Sequence, residues 1–296
     1  MKQIKTAFLM AYDYELLKNS IPLVYEDSDM IYLSLDKNRK TWSGNSFTID
    51  DAFFDWIKTI DTQHKITIYE DEFYVEGIQP MECDTKQRRM TSKAMGEGGW
   101  YVQIDADEYF LSFKGFINQL RHIEMTYPET EKITVFANWI TLYKTLDKGI
   151  LYIDCGRTME LCHIATNNPN YAYSRTNSEN RELLSTSIVL HESWARDENQ
   201  LRTKLNNWSH KNDFDTNAYM QLWTSINDTN YQEIKDFHPL SPKMWKQLRL
   251  LKGTGIAEII KDAQIKFKSK NRLWKFRLVN KRGGGRILGL LEKVGI

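Results

Sequence analysis

Asp105 and Asp107, in the run Asp105-Ala106-Asp107-Glu108, follow directly on the strand-like stretch WYVQI. Carboxylates at i and i+2 on a bend after a strand can both face one hard cation. Mg²⁺ and Mn²⁺ take few protein carboxylates and fill their other positions with water and phosphate oxygens. A cation of this kind neutralises a departing diphosphate. The bland alternative is a solvated acidic turn, because a bare DxD is common by chance. Two more acids close strand-like stretches: Asp13 just past TAFLMAY and Asp36 at the end of MIYLSLD. Acids converging on one edge suit a cleft that holds a cation, a ribose, or both.

His191 is the second informative position, since it ends the short strand-like SIVL and precedes Glu192, Ser193 and Trp194. A neutral imidazole there can ligate the same ion or contact a diphosphate. A lone histidine also serves as an ordinary structural residue. His210 and His238 pose weaker versions of the same question, and His238 before Pro239 reads as a turn anchor. His163 beside Cys162 invites a nucleophile reading, which is rejected because the sequence places no orienting acid.

The elements that would position these residues alternate in type. Strand-like stretches at 6–12, 30–36, 65–69, 100–104 and 133–143 are separated by helical spacing at Leu16, Leu17, Ile21 and Val24, at Phe53, Phe54, Ile57 and Ile60, and over 112–127. A polar helix is expected near 84–95. Such short intervals are the signature of a mainly parallel sheet flanked by helices, an α/β fold whose ligands bind at the carboxyl ends of the strands. Beyond 145 the pattern loosens. The Asn-rich stretch 166–182 reads as a surface loop region, Leu201, Leu205 and Trp208 mark a helix, and the chain from Pro239 reads as helical.

No apolar run approaches the ~18–20 residues that a membrane span needs. Cys83, Cys155 and Cys162 form no CxxC pair, which argues against a disulfide framework and a four-cysteine zinc site. The net charge of +1 conceals an asymmetry. From Lys261 to Ile296, seven lysines and four arginines face only Asp262 and Glu292, a net of +9, which leaves −8 for the preceding residues. Ile256, Ile259, Ile260, Ala263 and Phe267 recur there at helical spacing, with Lys261, Lys266, Lys268 and Lys270 around them and Trp274 and Phe276 after. The pattern suits an amphipathic segment on an anionic membrane surface, and equally a helix packed on the domain with a solvated basic face. The acidic body argues against a nucleic-acid partner.

The arrangement resembles the GT-A glycosyltransferases, and within them the broad inverting family-two group. The segments that carry it are AYDYELLKNSIP, IYLSLD, QRRMTSKAMGEGGWYVQIDADEYF, IVLHESWARDENQLRTKLNNWSH and DFHPL, over roughly residues 5–240. The resemblance implies a Rossmann-like GT-A domain over 1–240, with a donor half to about 110 and an acceptor half beyond it; the charge and helical spacing after it read as a basic helical extension over 241–296. Ala11, Tyr12 and Asp13 would line the base pocket, and Asp36 would hold the base or ribose. Arg88, or its neighbour Arg89, would lie near the nucleotide. Asp105 and Asp107 would hold Mn²⁺ or Mg²⁺ against the diphosphate, with His191 as a further ligand. Read singly, each has a plainer role: Tyr12 in packing, Asp13 as a helix cap, Arg88 paired with Asp84 on one helix face.

Inverting transfer needs a carboxylate that takes the acceptor hydroxyl's proton. Glu192 is the first candidate, with Glu160 and Asp197 behind it, although Glu192 equally suits a salt bridge with Arg196. The expectation is therefore a metal-dependent hexosyltransferase that uses a nucleotide sugar, foremost a UDP-sugar. Its acceptor would be a glycan, foremost lipid-linked, in surface polysaccharide assembly. The location expected is cytoplasmic, peripheral to the inner face of a membrane. Two rivals stand beside it: a nucleotidyltransferase on sugar phosphates, disfavoured by the lack of a Gly-rich basic loop near the N-terminus, and a non-catalytic glycan- or membrane-binding protein of the same fold.

Overall fold

The structure is a computed structural model that describes residues 1–156, 160–207 and 214–267. Their elements run β1 (Ile4–Met10), α1 (Leu17–Val24), β2 (Met30–Asp36), α2 (Asp51–Ile60), β3 (Ile66–Asp71), α3 (Pro80–Ala94), β4 (Trp100–Asp105), β5 (Glu108–Phe110), α4 (Phe113–Thr126), β6 (Ile133–Leu146), β7 (Gly149–Asp154), β8 (Glu160–Thr166), β9 (Arg181–His191), α5 (Glu198–Asn207), α6 (Thr216–Ser225), β10 (Gln247–Lys252) and α7 (Ile256–Lys266). They divide into two compact units, one holding residues 1–135 and 163–182, the other 136–156, 160–162, 183–206 and 214–267.

In the first unit, β4, β1, β2 and β3 lie side by side in parallel, and the end of β8 joins β4 antiparallel. Every residue of β1 is buried, as a central parallel strand requires. Lys5 sits within it because its ammonium has three carbonyls to satisfy it: Met95, Gly96 and Glu97, at 2.9, 2.8 and 2.9 Å, just past the end of α3. The helices begin where the sequence supplies acceptors. Asp50 accepts from the Ala52 amide at the start of α2, Ser112 Oγ from Gly115 at the start of α4, and Glu82 from Gln79 ahead of Pro80 in α3. The mainly parallel α/β sheet flanked by helices is thus as the sequence predicts.

Past β3 the chain adds β4 on the opposite side of β1, so the strand order reverses between β1 and β4. A crevice outside the strand ends at such a reversal is where open α/β sheets bind ligands.

The second unit is built differently from the expectation for its stretch of sequence. β6 turns back into β7 in an antiparallel hairpin, and β10 pairs antiparallel with β7 from Gln247↔Asp154 to Lys252↔Gly149. The chain after Pro239 makes a single 3-10 turn at Pro242–Met244 and then a strand before its α-helix. Alternation in QLRLLK is too short and too basic to stand out beside the helical spacing that follows. The stripe of α7 is buried at Ile259, Ile260 and Ala263, and Phe267 packs edge-on against Tyr152 at 5.3 Å. Over 256–267 the packed-helix alternative holds, and this stripe is not presented to a membrane. Lys268 to Ile296, with Trp274 and Phe276, lie outside the described residues, as do Trp208 and His210. No helix among the described residues is long and apolar enough to cross a membrane.

Candidate functional site

The carboxyl ends of β1, β2 and β4 share one edge of the parallel sheet, and Ala11, Tyr12, Asp13, Asp36 and Asp105 lie there. Asp105 closes β4 level with Leu9 of β1, and Ala11, Tyr12 and Asp13 continue from β1 into a single 3-10 turn at Tyr14–Leu16. Asp13 occupies the position before that turn but makes no side-chain cap bond. All three are partly exposed.

Asp105 is bracketed by two arginines. Arg88 on α3 donates from Nη2 to Asp105 Oδ1 at 2.8 Å, and Arg175 Nη2 stands 3.6 Å from Oδ2. Arg88 also donates from Nε to Asp84 Oδ1 at 2.6 Å, one helical turn earlier. Arg175 forms a two-pronged pair with Glu108, at 2.9 and 2.8 Å, and donates to the Gln103 carbonyl at 3.1 Å. Glu108 in turn accepts from the Asp105 amide at 3.0 Å, which ties the Asp105–Glu108 bend back on itself. Burial works against the ionised form of Asp105, but Arg88 and Arg175 outweigh it and hold this carboxyl below its ordinary value. Burial pushes Asp84 and Glu108 up, against the pull of their arginines.

Arg88 is 2% exposed, so it serves as an internal counter-ion. The sequence raised its pairing with Asp84 as the plainer alternative, and that pair is present, with Asp105 added. Arg89 turns elsewhere, donating to the Tyr171 carbonyl.

Asp36 is also internal. Its Oδ1 accepts from the amides of Asn38 and Lys40 at 2.9 and 3.2 Å, and its Oδ2 from those of Phe73 and Tyr74 at 2.9 and 3.1 Å. Four backbone donors take up the acceptor sites of a carboxylate. Asp36 therefore shapes the loops after β2 and β3, and any part in a nucleotide pocket passes through that backbone. Asp36→Asn is expected to cost about 1–3 kcal/mol, since an amide NH₂ would face two backbone donors. Urea unfolding measures this. An unchanged midpoint, with nucleotide affinity lost, would return Asp36 to direct contact.

Arg175 is what sequence reasoning missed. The 166–182 stretch is an irregular connection with exposed residues, as expected, but it also sends Tyr171, Arg175, Asn177 and Asn180 inward, where they are buried. Asn180 Nδ2 donates to Thr134 and Thr166 hydroxyls at 2.9 and 3.1 Å, and the Ser174 amide donates to Thr85 Oγ1 at 2.7 Å. The segment is held by polar bonds, so no apolar periodicity announces it.

The remaining candidates are in the second unit. The His191 ring stacks on Trp139, with centroids 4.2 Å apart and planes 12° apart. The Glu192 carbonyl accepts from Arg196 Nε at 3.3 Å. Glu160 accepts from Thr141 Oγ1 and from Trp245 Nε1, each at 2.7 Å, and Asp197 accepts from the Gln200 amide at 2.9 Å at the start of α5. His238 is the turn anchor expected of it, since its Nδ1 accepts from the amides of Leu240 and Ser241 at 3.1 and 2.9 Å.

Among the described residues, no group of three or more His, Cys, Asp or Glu side chains is placed to hold a metal ion. Asp105 and Asp107 fit a cation that draws most of its ligands from water and substrate. Asp105 keeps 31% of its side chain exposed, and Asp107, buried beside it, adds negative charge that Asp105 feels. Asp84, Asp105 and Glu108 share two guanidiniums, three carboxylates to two positive charges, and Asp107 stands beside Asp105.

No protein-family pattern matches the chain, and no curated protein matches it in sequence. Among solved structures it is similar to mannose-1-phosphate geranyltransferase from Thermus thermophilus, at 10% identity and a TM-score of 0.27 over 51% of this chain and 49% of that one. It thus spans about half the length of that protein. It is also similar to UDP-glucose pyrophosphorylase complexed with UDP-glucose, at 11% identity and a TM-score of 0.30 over 90% of this chain and 99% of that one. At these scores the likeness says nothing about what this chain binds or does.

Proposed function

We infer that the chain is a glycosyltransferase that moves a sugar from a nucleotide-sugar donor, foremost a UDP-sugar, to a hydroxyl of a glycan acceptor. The observation that supports this most is the Asp105–Asp107 bend at the end of β4, beside the reversal of strand order. Ala11, Tyr12 and Asp13 continue β1 on the other side of that reversal and are the proposed wall of the base pocket. A divalent cation, Mn²⁺ or Mg²⁺, held by Asp105 and Asp107 would neutralise the diphosphate leaving group. His191 is the proposed further contact to metal or diphosphate.

The chain's own groups divide the remaining work. Arg88 keeps Asp105 ionised and aimed, and Asp36 holds the loop after β2. Glu192 takes the proton from the acceptor hydroxyl as its oxygen bonds to the anomeric carbon and the diphosphate departs. Glu160 and Asp197 are the alternatives for that proton. A lipid-linked glycan of surface polysaccharide assembly is the proposed acceptor. The basic charge from Lys261 onward is the proposed reason for a peripheral place on an anionic cytoplasmic membrane face.

A thermal-shift panel of nucleotide sugars, nucleoside diphosphates and nucleoside triphosphates, with and without Mn²⁺, tests the reading. A ligand present at a hundred times its dissociation constant stabilises the native state by about 2.7 kcal/mol. Stabilisation by UDP or a UDP-sugar only with metal is the expected result. Stabilisation by a nucleoside triphosphate alone would replace glycosyl transfer by nucleotidyl transfer.

A further inference from the structure

Five charged side chains alternate in sign through the interior of the first unit: Asp84, Arg88, Asp105, Arg175 and Glu108. Four of them are buried, and Asp105 is the member with exposed surface. Such an array is a poor stabilising device, since desolvating ions costs several kcal/mol each and apolar residues of similar volume commonly do as well or better. What it supplies is direction. Glu108, the most deeply enclosed member at 0% side-chain exposure, meets Arg175 through both oxygens and holds the Asp105 amide. The guanidinium of Arg175 thus ties β4 to the far end of the bend: it bonds the Gln103 carbonyl and the Glu108 carboxylate, and stands 3.6 Å from Asp105 Oδ2.

Arg175 is itself set from three directions. The Tyr171 carbonyl accepts from Arg89, the Ser174 amide donates to Thr85, and the short Tyr173–Thr176 bridge closes the turn that presents Arg175. Ser174 has φ 48°, a left-handed conformation that few non-glycine residues adopt. Strain of this kind persists where surrounding bonds over-determine it.

We propose that Arg175 is a positioning residue: it fixes the Asp105–Glu108 bend, and with it the two carboxylates of the donor site. The role in donor binding rests on the glycosyltransferase reading; the fixing of the bend does not. A planar fork that bonds two oxygens at once is required, so a lysine's point charge does not replace it.

Two variants of the full chain separate positioning from mere stability. Arg175→Met combined with Glu108→Gln removes both charges while keeping an acceptor for the Asp105 amide. Arg175→Lys keeps the charge and loses the fork. Both are expected to retain the wild-type thermal midpoint to within a few degrees. Backbone amides of residues 105–109 should exchange with deuterium at least tenfold faster in each variant, while those of β1 and β2 keep their wild-type rates. Affinity for UDP with Mn²⁺ should fall at least tenfold. Unchanged exchange over 105–109 in a folded variant would overturn the proposal, whatever the protein binds. Faster exchange with wild-type UDP affinity would confine Arg175 to shaping the bend and remove it from the donor site. Faster exchange in a protein whose wild type binds no nucleotide would retain the positioning role and overturn the nucleotide-sugar reading instead.

Discussion

Asp107→Asn should lower sugar transfer at least ~10²–10³-fold, the scale on which removing one charge-stabilising group from a reacting centre is felt. The substitution is nearly isosteric, and it relieves negative charge that crowds Asp105. The fold should therefore survive, and the loss should be one of turnover. Asp105→Ala should inactivate to a similar degree for a mixed reason. It removes a proposed metal-holding carboxylate, and it also leaves Arg88 and Arg175 short of the counter-charge that they share. The pair of variants is thus informative together: equal losses of turnover, with a lowered unfolding midpoint only in Asp105→Ala. Transfer is measured with the donor that stabilises the wild-type chain, with and without Mn²⁺. Full activity in both variants, or wild-type turnover undiminished by excess EDTA, would end the metal-dependent reading.

The largest effect on stability should come from Arg88→Met, at about 3–5 kcal/mol, the usual cost of removing one partner from a buried ion pair. Arg88 bonds Asp84 at 2.6 Å and Asp105 at 2.8 Å, and Asp84 is buried where solvent does not replace it. The deficit should also depend on pH in a definite direction. Burial already raises the Asp84 carboxyl, with Arg88 opposing it. Without the guanidinium, the folded-state value rises further above the unfolded one of about 4. A carboxyl raised in this way is tolerated by the native state below that unfolded value, where it is protonated in both states. The native state then loses stability as the pH climbs through the folded-state value. Arg88→Met should accordingly lie closer to the wild type near pH 4 than at pH 7. Urea unfolding at the two pH values measures this, and a loss under about 1 kcal/mol at pH 7 would mean that Asp84 and Asp105 find other partners.

Local pattern carried much of the first unit. The buried run of β1, the acid at the end of β2, and the DAD bend after β4 follow from apolar stretches of strand length and the residues that close them. These signals lie within a few neighbours of each other, so the sequence alone determined that Asp36 and Asp105 close parallel strands at one edge. It also marked α2 and α4 as helices, through the spacing of Phe53, Phe54, Ile57 and Ile60 and the pattern over 112–127.

What the side chains do at those places was decided by tertiary structure. The resemblance gives Asp36 a base or ribose to hold; folding brings Phe73 and Tyr74 amides to it from 37 and 38 residues away. Arg175 lies in a stretch with no apolar period and reaches Glu108 from 67 residues away. The stripe of α7 has the same period whether it meets lipid or protein, and only its burial beside β10 separates the two over 256–267. The physical reason is common to all three. Periodicity records which face of an element is apolar, because the hydrophobic effect is non-directional and sums along the chain. Hydrogen bonds and ion pairs depend on distance and angle between particular atoms, and those are set only when segments far apart in sequence are packed together.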